Sequence, residues 1–391
     1  MVENTRDLDG KIIPFIPEDS VFHESNWWNF ENDQYLSFLF DLMVEYDASD
    51  IYITYWEEPV LRVEQEALRV QWALKMTDEI LTNFFDILVS DDDKALFEQE
   101  QSVDLWYSLH GRRYRINISL QRWHIMIVAR LLAEKVPTID ELWLPPILKK
   151  LAHTSWWIIF LSWPTGSGKS TTLAAMVEEI NQTRYKHIIT VEDPIEYVFE
   201  PKMCVFEQKQ LWRDVTSFAN AMKYAVRQRP DVILFWEIRD PDSVRYAMSL
   251  AETGHLVLTT VHSRSAEQAI NRIVSMFPTD EQPQIQNHLA ENMIAIIIQK
   301  LVKKAKSHWV VAVHEILLNN TPVANTIRDN KLNQIDNVIF TNRKYGMQLL
   351  DDCLVEHIVK WDISYQTAIE NARDPWAIKR WLEQLWLKVV G

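Results

Sequence analysis

Ile158-Ile-Phe-Leu-Ser-Trp-Pro-Thr-Gly-Ser-Gly-Lys-Ser170, followed by Thr-Thr-Leu-Ala-Ala-Met176, is the stretch on which the reading of this chain turns. An apolar run the length of one buried strand enters a glycine-containing loop and leaves it as a helix. Main-chain N–H groups in such a loop, aligned with the helix dipole, form a concave anion site. Lys169 is placed to reach the outer phosphates of a nucleotide, and Ser170 to ligate Mg²⁺. Pro164, Thr165, Gly166, Ser167, Gly168, Lys169, Ser170 and Thr171 make up the expected cradle. The pattern G-x-x-x-x-G-K-S asks for glycine where Trp163 stands, at a point with little room for a side chain.

Downstream, Asp231-Val-Ile-Leu-Phe-Trp-Glu237 is an apolar strand ending in a carboxylate. In a parallel sheet that end borders the ligand crevice. Glu237 is therefore expected to orient and polarise an attacking water. Thr190-Val-Glu-Asp-Pro-Ile-Glu196 also puts acids after a strand, and alone it reads equally as a turn. His255 and His262 flank the strand Leu256–Val261, with a spacing unlike a metal site.

Strands alternating with helices from Trp156 onward predict an α/β domain with a parallel sheet. Its strands are expected at Ile158–Ser162, His187–Val191, Asp231–Phe235, His255–Thr260 and Val310–Ile316. The helices fit Ser170–Ile180, Ser217–Gln228, Asp242–Glu252 and Ala266–Ser275. Residues 147–320 form this core and 321–391 a mainly helical end. Residues 1–34 read as a mobile tail and 35–135 as a small α+β domain. Within that domain the helical spacing after Tyr35 gives way to strands at 50–54 and 60–63, a helix at 77–88, and strands at 114–118 and 125–128. Residues 136–146, with three prolines, read as a linker.

Among the 391 residues, 47% are hydrophobic and 24% charged, as in a globular protein. No apolar run reaches the roughly 18 residues of a membrane span. With no basic-then-apolar N-terminal leader, the expected location is cytoplasmic. Cys204 and Cys353 are too few for a disulfide framework or a four-cysteine zinc site. A net charge of −15 disfavours nucleic acid as the main partner, since phosphate backbones reward clustered cations.

Several segments together carry a specific resemblance: ASDIYIT (48–54), WPTGSGKSTTLAAM (163–176), HIITVEDPIEYVF (187–199), RQRPDVILFWEIRDPDSV (227–244), AETGHLVLTTVHSRSA (251–266) and MQLLDDCLVEHIVK (347–360). From about Asp41 to Asp374 the chain resembles the secretion and pilus ATPase superfamily, in particular the PilT-like type IV pilus retraction ATPases. The resemblance implies a PAS-like α+β domain followed by a RecA-like α/β P-loop motor, assembled as a homo-hexamer. It would use ATP and Mg²⁺ and work against an inner-membrane platform protein, at the cytoplasmic face of that membrane. Glu192, Asp193 and Glu196 match the family's Asp box, Glu237 its Walker B glutamate, and His255 and His262 its His box. Arg113-Tyr-Arg115, Arg122 and Arg130 match a stretch whose guanidiniums approach the nucleotide and offset charge on the transferring phosphoryl group. Two distant cysteines and a short N-terminus favour retraction over extension, although Pro322–Lys331 matches the retraction region only loosely. Other readings are a non-catalytic ring scaffold beside an active homologue, an extension or secretion ATPase, and a nucleic-acid translocase.

Only 7 residues are glycine and 17 are tryptophan, whereas a glycine content of about 7% would give roughly 27. Tryptophan stands where the family has glycine at Trp163 and Trp236, and at Trp56, Trp123, Trp143, Trp212 and Trp361. Drift favours alanine or serine in a glycine's place. A gene whose UGA codons mean glycine, rendered with UGA as tryptophan, would give this pattern. Asp47 and Gln65 also occupy family glycine positions, and the codon explanation does not cover them.

Overall fold

In the computed structural model, residues 32–63, 66–71, 73–162, 166–306 and 309–381 are described. The chain divides after Glu134 into two units.

The smaller unit runs α1 (Asn32–Glu45), β1 (Asp50–Ile53), β2 (Val60–Val63), β3 (Glu66–Arg69), α2 (Asp78–Leu88), α3 (Asp91–Glu100), β4 (Ser102–Leu109), β5 (Arg112–Gln121) and β6 (His124–Leu131). Its six strands pair antiparallel in the order β3-β2-β1-β6-β5-β4. Leu36, Leu39, Phe40 and Met43 recur at helical spacing and turn one stripe of α1 inward. That stripe meets Ile51, Ile53, Ile116, Ile118, Ile127 and Ala129 in one buried cluster. Alternate residues of β5 point away from it, as a period of two requires. Helix α1 begins three residues before Tyr35, so Asn32–Gln34 belong to the helix rather than to a tail. Residues 1–31 lie outside the described residues. The strands β3 and β4 and the helix α3 are additions to the elements expected.

The larger unit continues with α4 (Ile147–Ala152), β7 (Trp157–Ser162), α5 (Lys169–Thr183), β8 (His187–Glu192), β9 (Val205–Gln210), α6 (Phe218–Ala225), β10 (Val232–Phe235), α7 (Pro241–Glu252), β11 (Leu256–Val261), α8 (Ala266–Ser275), α9 (Gln282–Asn292), β12 (Met293–Lys303) and β13 (Val310–Leu318). Helices α10 (Thr321–Arg328), α11 (Ile335–Thr341), α12 (Leu350–Val359) and α13 (Tyr365–Asn371) follow. The sheet order is β13-β12-β7-β11-β10-β8-β9. All neighbours are parallel except β13, which runs antiparallel to β12 over nine residue pairs. The parallel sheet expected from the sequence is present, and β13 adds an antiparallel strand at its edge. Ile158 and Phe160 of β7 pack into one helical layer, while Ile159 and Leu161 pack into the other. Burial on both faces explains why this strand is a continuous apolar run rather than an alternating one.

Sharp helix starts carry the chain back from each strand. Asp240 caps α7 by accepting from Ser243 N at 2.8 Å, with Pro241 in the first turn. Ser217 and Ser265 do the same for α6 and α8. The C-terminal helices are tied to the sheet by charge. Arg373 donates to the fully buried Glu315 of β13 at 2.6 Å and forks onto Asp336 at 3.1 and 3.2 Å. Glu315 also accepts from Ala266 N, the first residue of α8, at 2.7 Å. Removing the arginine strands a buried carboxylate. Arg373→Ala is expected to lower unfolding stability by about 3 kcal/mol, read from urea titrations; an unchanged midpoint would show that the pair is energetically idle.

Candidate functional site

Loop and helix meet at Gly168, the N-cap of α5, which holds φ 75°. A side chain there is excluded twice over, because left-handed backbone disfavours a Cβ and because that Cβ would lie 3.0 Å from Gln299 Nε2. Gln299 projects from β12 and is buried. Its Nε2 donates to the Ser167 carbonyl at 2.8 Å, and its Oε1 accepts from Thr172 Oγ1 at 2.7 Å. His314 on β13 supplies a third contact, Nε2 to Gln299 Oε1 at 3.1 Å. Desolvation, with the positive field of His357 behind it, pushes His314 down to about 3, so the ring is neutral. One amide side chain thus holds the loop from behind.

In front of the loop the chemistry is that of an anion site. Ser167 Oγ is buried and lacks a hydrogen-bond partner among the described residues. Such an orphan calls for a ligand, since unsatisfied buried polar groups are rare. Burial lowers the Lys169 pKa, opposed by the nearby charges of Glu237 and Glu196. An ammonium, an orphaned hydroxyl and a glycine cradle at a helix N-terminus fit a phosphate. Ser170 borders a small hollow with Glu192, Glu196 and Trp236, where carboxylates and a hydroxyl make the oxygen-rich set that Mg²⁺ prefers. Thr171 Oγ1 lies 3.0 Å from Tyr197 OH. Trp163, Pro164 and Thr165 fall outside the described residues.

Across the strand ends, Glu237 follows β10 and is buried. Its Oε1 meets His262 Nε2 at 3.0 Å, and its Oε2 accepts from Arg239 Nε at 2.7 Å. The His262 carbonyl accepts from Arg272 at 3.0 Å. Ser162, the last residue of β7, donates to the Ser263 carbonyl and accepts from Ser263 N, both at 2.8 Å. Glu192 ends β8, with Thr190 and Gln208 donating to it at 2.7 and 3.2 Å. Burial nevertheless pushes its carboxyl up to about 7. A second cavity of about 590 Å³ opens beside Gly168 and Thr171, walled by Leu142, Leu144, Leu301 and Val311.

The structure therefore gathers Lys169, Ser170, Glu192, Glu196, Glu237 and His262 around the C-terminal ends of β7, β8, β10 and β11. Asp193 follows Glu192 in the same connection. His255 is not with them. It precedes β11 and so sits at the opposite end of that strand from His262. Its Nδ1 is 2.8 Å from the Leu250 carbonyl and 3.0 Å from Thr253 Oγ1, a helix-end contact for α7. Arg115, Arg122 and Arg130 belong to the smaller unit. Arg115 pairs with Asp104 at 3.3 Å, Arg130 with the buried Asp50 at 2.7 Å, and Arg122 lies in the β5–β6 turn. Gln299, Ser162, His314, Tyr197 and Arg239 are the supporting residues that motif reading passes over: Gln299 and His314 stand outside the signature segments, Ser162 ends an apolar run, and Tyr197 and Arg239 lie inside signature segments without being residue types that announce phosphate chemistry.

Two outcomes follow from this geometry. Gln299→Ala leaves the Ser167 carbonyl and Thr172 hydroxyl without their partner, and is expected to lower stability by about 1–3 kcal/mol in urea unfolding. Glu192 binds its proton more tightly folded than unfolded. Its stabilising contribution is complete below pH 4.5 and is lost as pH rises through about 7. Glu192→Gln should flatten that fall in the thermal midpoint of the nucleotide-free protein; an identical pH profile would contradict the assignment.

The family description "Type II/IV secretion system protein" matches residues 139–352. The chain is 36% identical to the type IV pilus retraction ATPase PilT of Pseudomonas aeruginosa, over 84% of this chain and 95% of that one. It is 37% identical to a twitching motility protein of Neisseria gonorrhoeae, over 81% of this chain and 84% of the relative. Among solved structures, the pilus retraction motor PilT with bound ADP superposes with a TM-score of 0.83 at 33% identity, covering 88% of this chain and 99% of that chain. The two-domain architecture, a smaller α+β domain before an α/β ATPase-type domain, is the one those structures have. The chain belongs to the type II/IV secretion system protein family, as a member similar to the type IV pilus retraction ATPases.

Proposed function

We propose that this protein is an ATP-hydrolysing motor that assembles as a ring of six and powers type IV pilus retraction. The observation that carries the reading is the opposition of Lys169 and Ser170, at the start of α5, to the Glu237–His262 pair at the ends of β10 and β11. The extent of the match to PilT supports retraction, since it runs through nearly all of that relative.

In this reading the loop amides and Lys169 bind the phosphates, and the apolar cavity beside Thr171 receives the nucleoside. Mg²⁺, held through Ser170 with help from Glu192 and Glu196, would draw charge from the phosphate oxygens. Glu237 accepts a proton from the attacking water and orients it, with His262 and Arg239 fixing the carboxylate so that its rotamer is set before reaction. Arg115, Arg122 or Arg130 offset charge developing on the phosphoryl group within the ring. The work is done on a pilus through an inner-membrane platform protein, from the cytoplasmic side. No helix among the described residues is long and apolar enough to cross a membrane.

A paired substitution tests the proposal. Glu237→Gln keeps the shape and removes the base, so steady-state ATP hydrolysis should fall by about 10²–10⁴ while nucleotide is still bound. Lys169→Ala should abolish both. Hydrolysis indistinguishable from the unsubstituted ring in either variant would favour a non-catalytic scaffold beside an active homologue.

A further inference from the structure

We infer that the natural protein carries glycine where tryptophan is written at positions 56, 123, 143, 157, 212 and 361, and by extension at position 163 of the phosphate loop. The inference is independent of what the motor does and rests on backbone conformation. All six described positions hold positive φ: 59° at Trp56, 73° at Trp123, 54° at Trp143, 88° at Trp157, 67° at Trp212 and 62° at Trp361. Tryptophan makes up 17 of 391 residues, yet it supplies half of the non-glycine residues in this region among those described. The other six are Asp47, Gln101, His110, Arg122, Arg229 and Asn330. Left-handed backbone is favoured by glycine, tolerated by asparagine and aspartate, and strained for a bulky side chain.

The fold contains its own controls. Hairpin β4–β5 turns on His110-Gly111 between the paired residues Leu109 and Arg112, with φ 49° and 75°. Hairpin β5–β6 turns on Arg122-Trp123 between Gln121 and His124, with φ 52° and 73°. Both are two-residue loops with positive φ at both centres, the geometry that selects glycine second. One has it and the other has an indole.

Helix ends repeat the comparison. After α7, Gly254 N donates to the Ala251 carbonyl at 3.1 Å and His255 N to the Leu250 carbonyl at 3.2 Å. After α12, Trp361 N donates to the Ile358 carbonyl at 3.0 Å and Asp362 N to the His357 carbonyl at 2.9 Å. This is the same left-handed cap, whose turning residue is usually glycine.

Most of these indoles stand in solvent, although Trp157 lies edge-on to Trp156 and Trp56 beside Tyr55. Trp123 is 94% exposed, Trp143 88% and Trp361 80%. Trp106 behaves as a genuine tryptophan: it lies within β4, outside the positive-φ set, under the guanidinium of Arg113 at 5.4 Å. Trp157 is one of the six although the sequence alone did not single it out. Trp236, which the sequence did single out, is not in the positive-φ set, and its backbone gives no reason to assign glycine. The gene would spell the six positions and 163 with UGA read as glycine, and Trp106 with UGG. The functional consequence is local. Position 163 completes G-x-x-x-x-G-K-S, and Trp143 lines the cavity beside Gly168.

Peptide mass mapping of the protein purified from its native host decides the matter. Expected is glycine in the peptides spanning 123, 361 and 163, with tryptophan retained at 106; tryptophan at 123 or 361 overturns the inference. A second measurement needs no native material. Trp123→Gly and Trp361→Gly, made singly in the chain as written, should each raise Tm by about 2–4 °C. A fall or no change in both would remove the physical ground for the assignment, whatever the ATPase rate.

Discussion

A loop that offers its N–H groups to an anion must have its carbonyls held from the other side. Here a single amide, Gln299, does this, gripping the Ser167 carbonyl and the Thr172 hydroxyl while its own oxygen is fixed by a neutral His314. The glycine at 168 is the other half of the same constraint, since any side chain would displace that amide. Everything else about the site is arranged relative to this fixed backbone. The sheet brings carboxylates to one edge because parallel strands all end there, and short capped helix starts return the chain without covering it.

Much of this was legible in the sequence where local pattern and tertiary role agree. The strand–loop–helix around Lys169, the acid after β10 and the helix Ala266–Ser275 are each dictated by residues within a few positions of one another. The failures share a physical reason. Strand β12, Met293–Lys303, follows α9 without a break, and an apolar run of that length suits a buried helix as well as a strand. Edge strand β9 reads Val-Phe-Glu-Gln-Lys-Gln and shows too weak an alternation to declare itself.

Within the site, first contacts were readable and their supports were not. Lys169, Ser170 and Glu237 lie in segments whose residue types announce phosphate chemistry. Gln299 stands 132 residues beyond Ser167 and His314 a further 15 beyond Gln299, so no spacing rule joins them. His255 and His262 illustrate the opposite hazard. They flank one strand symmetrically in sequence, but a six-residue strand carries them to opposite edges of the sheet, and only His262 meets the carboxylate.

Ser162 has a mechanical meaning beyond its hydrogen bonds. One hydroxyl, giving to and taking from Ser263, welds the exit of β7 to the exit of β11. The strand that feeds the phosphate loop and the strand that feeds His262, already paired in register from Trp157 to Ser162, are thereby tied at their exits as well. A shift of the phosphate loop and a shift of the His262 segment are therefore coupled through one side chain at the rim of the sheet.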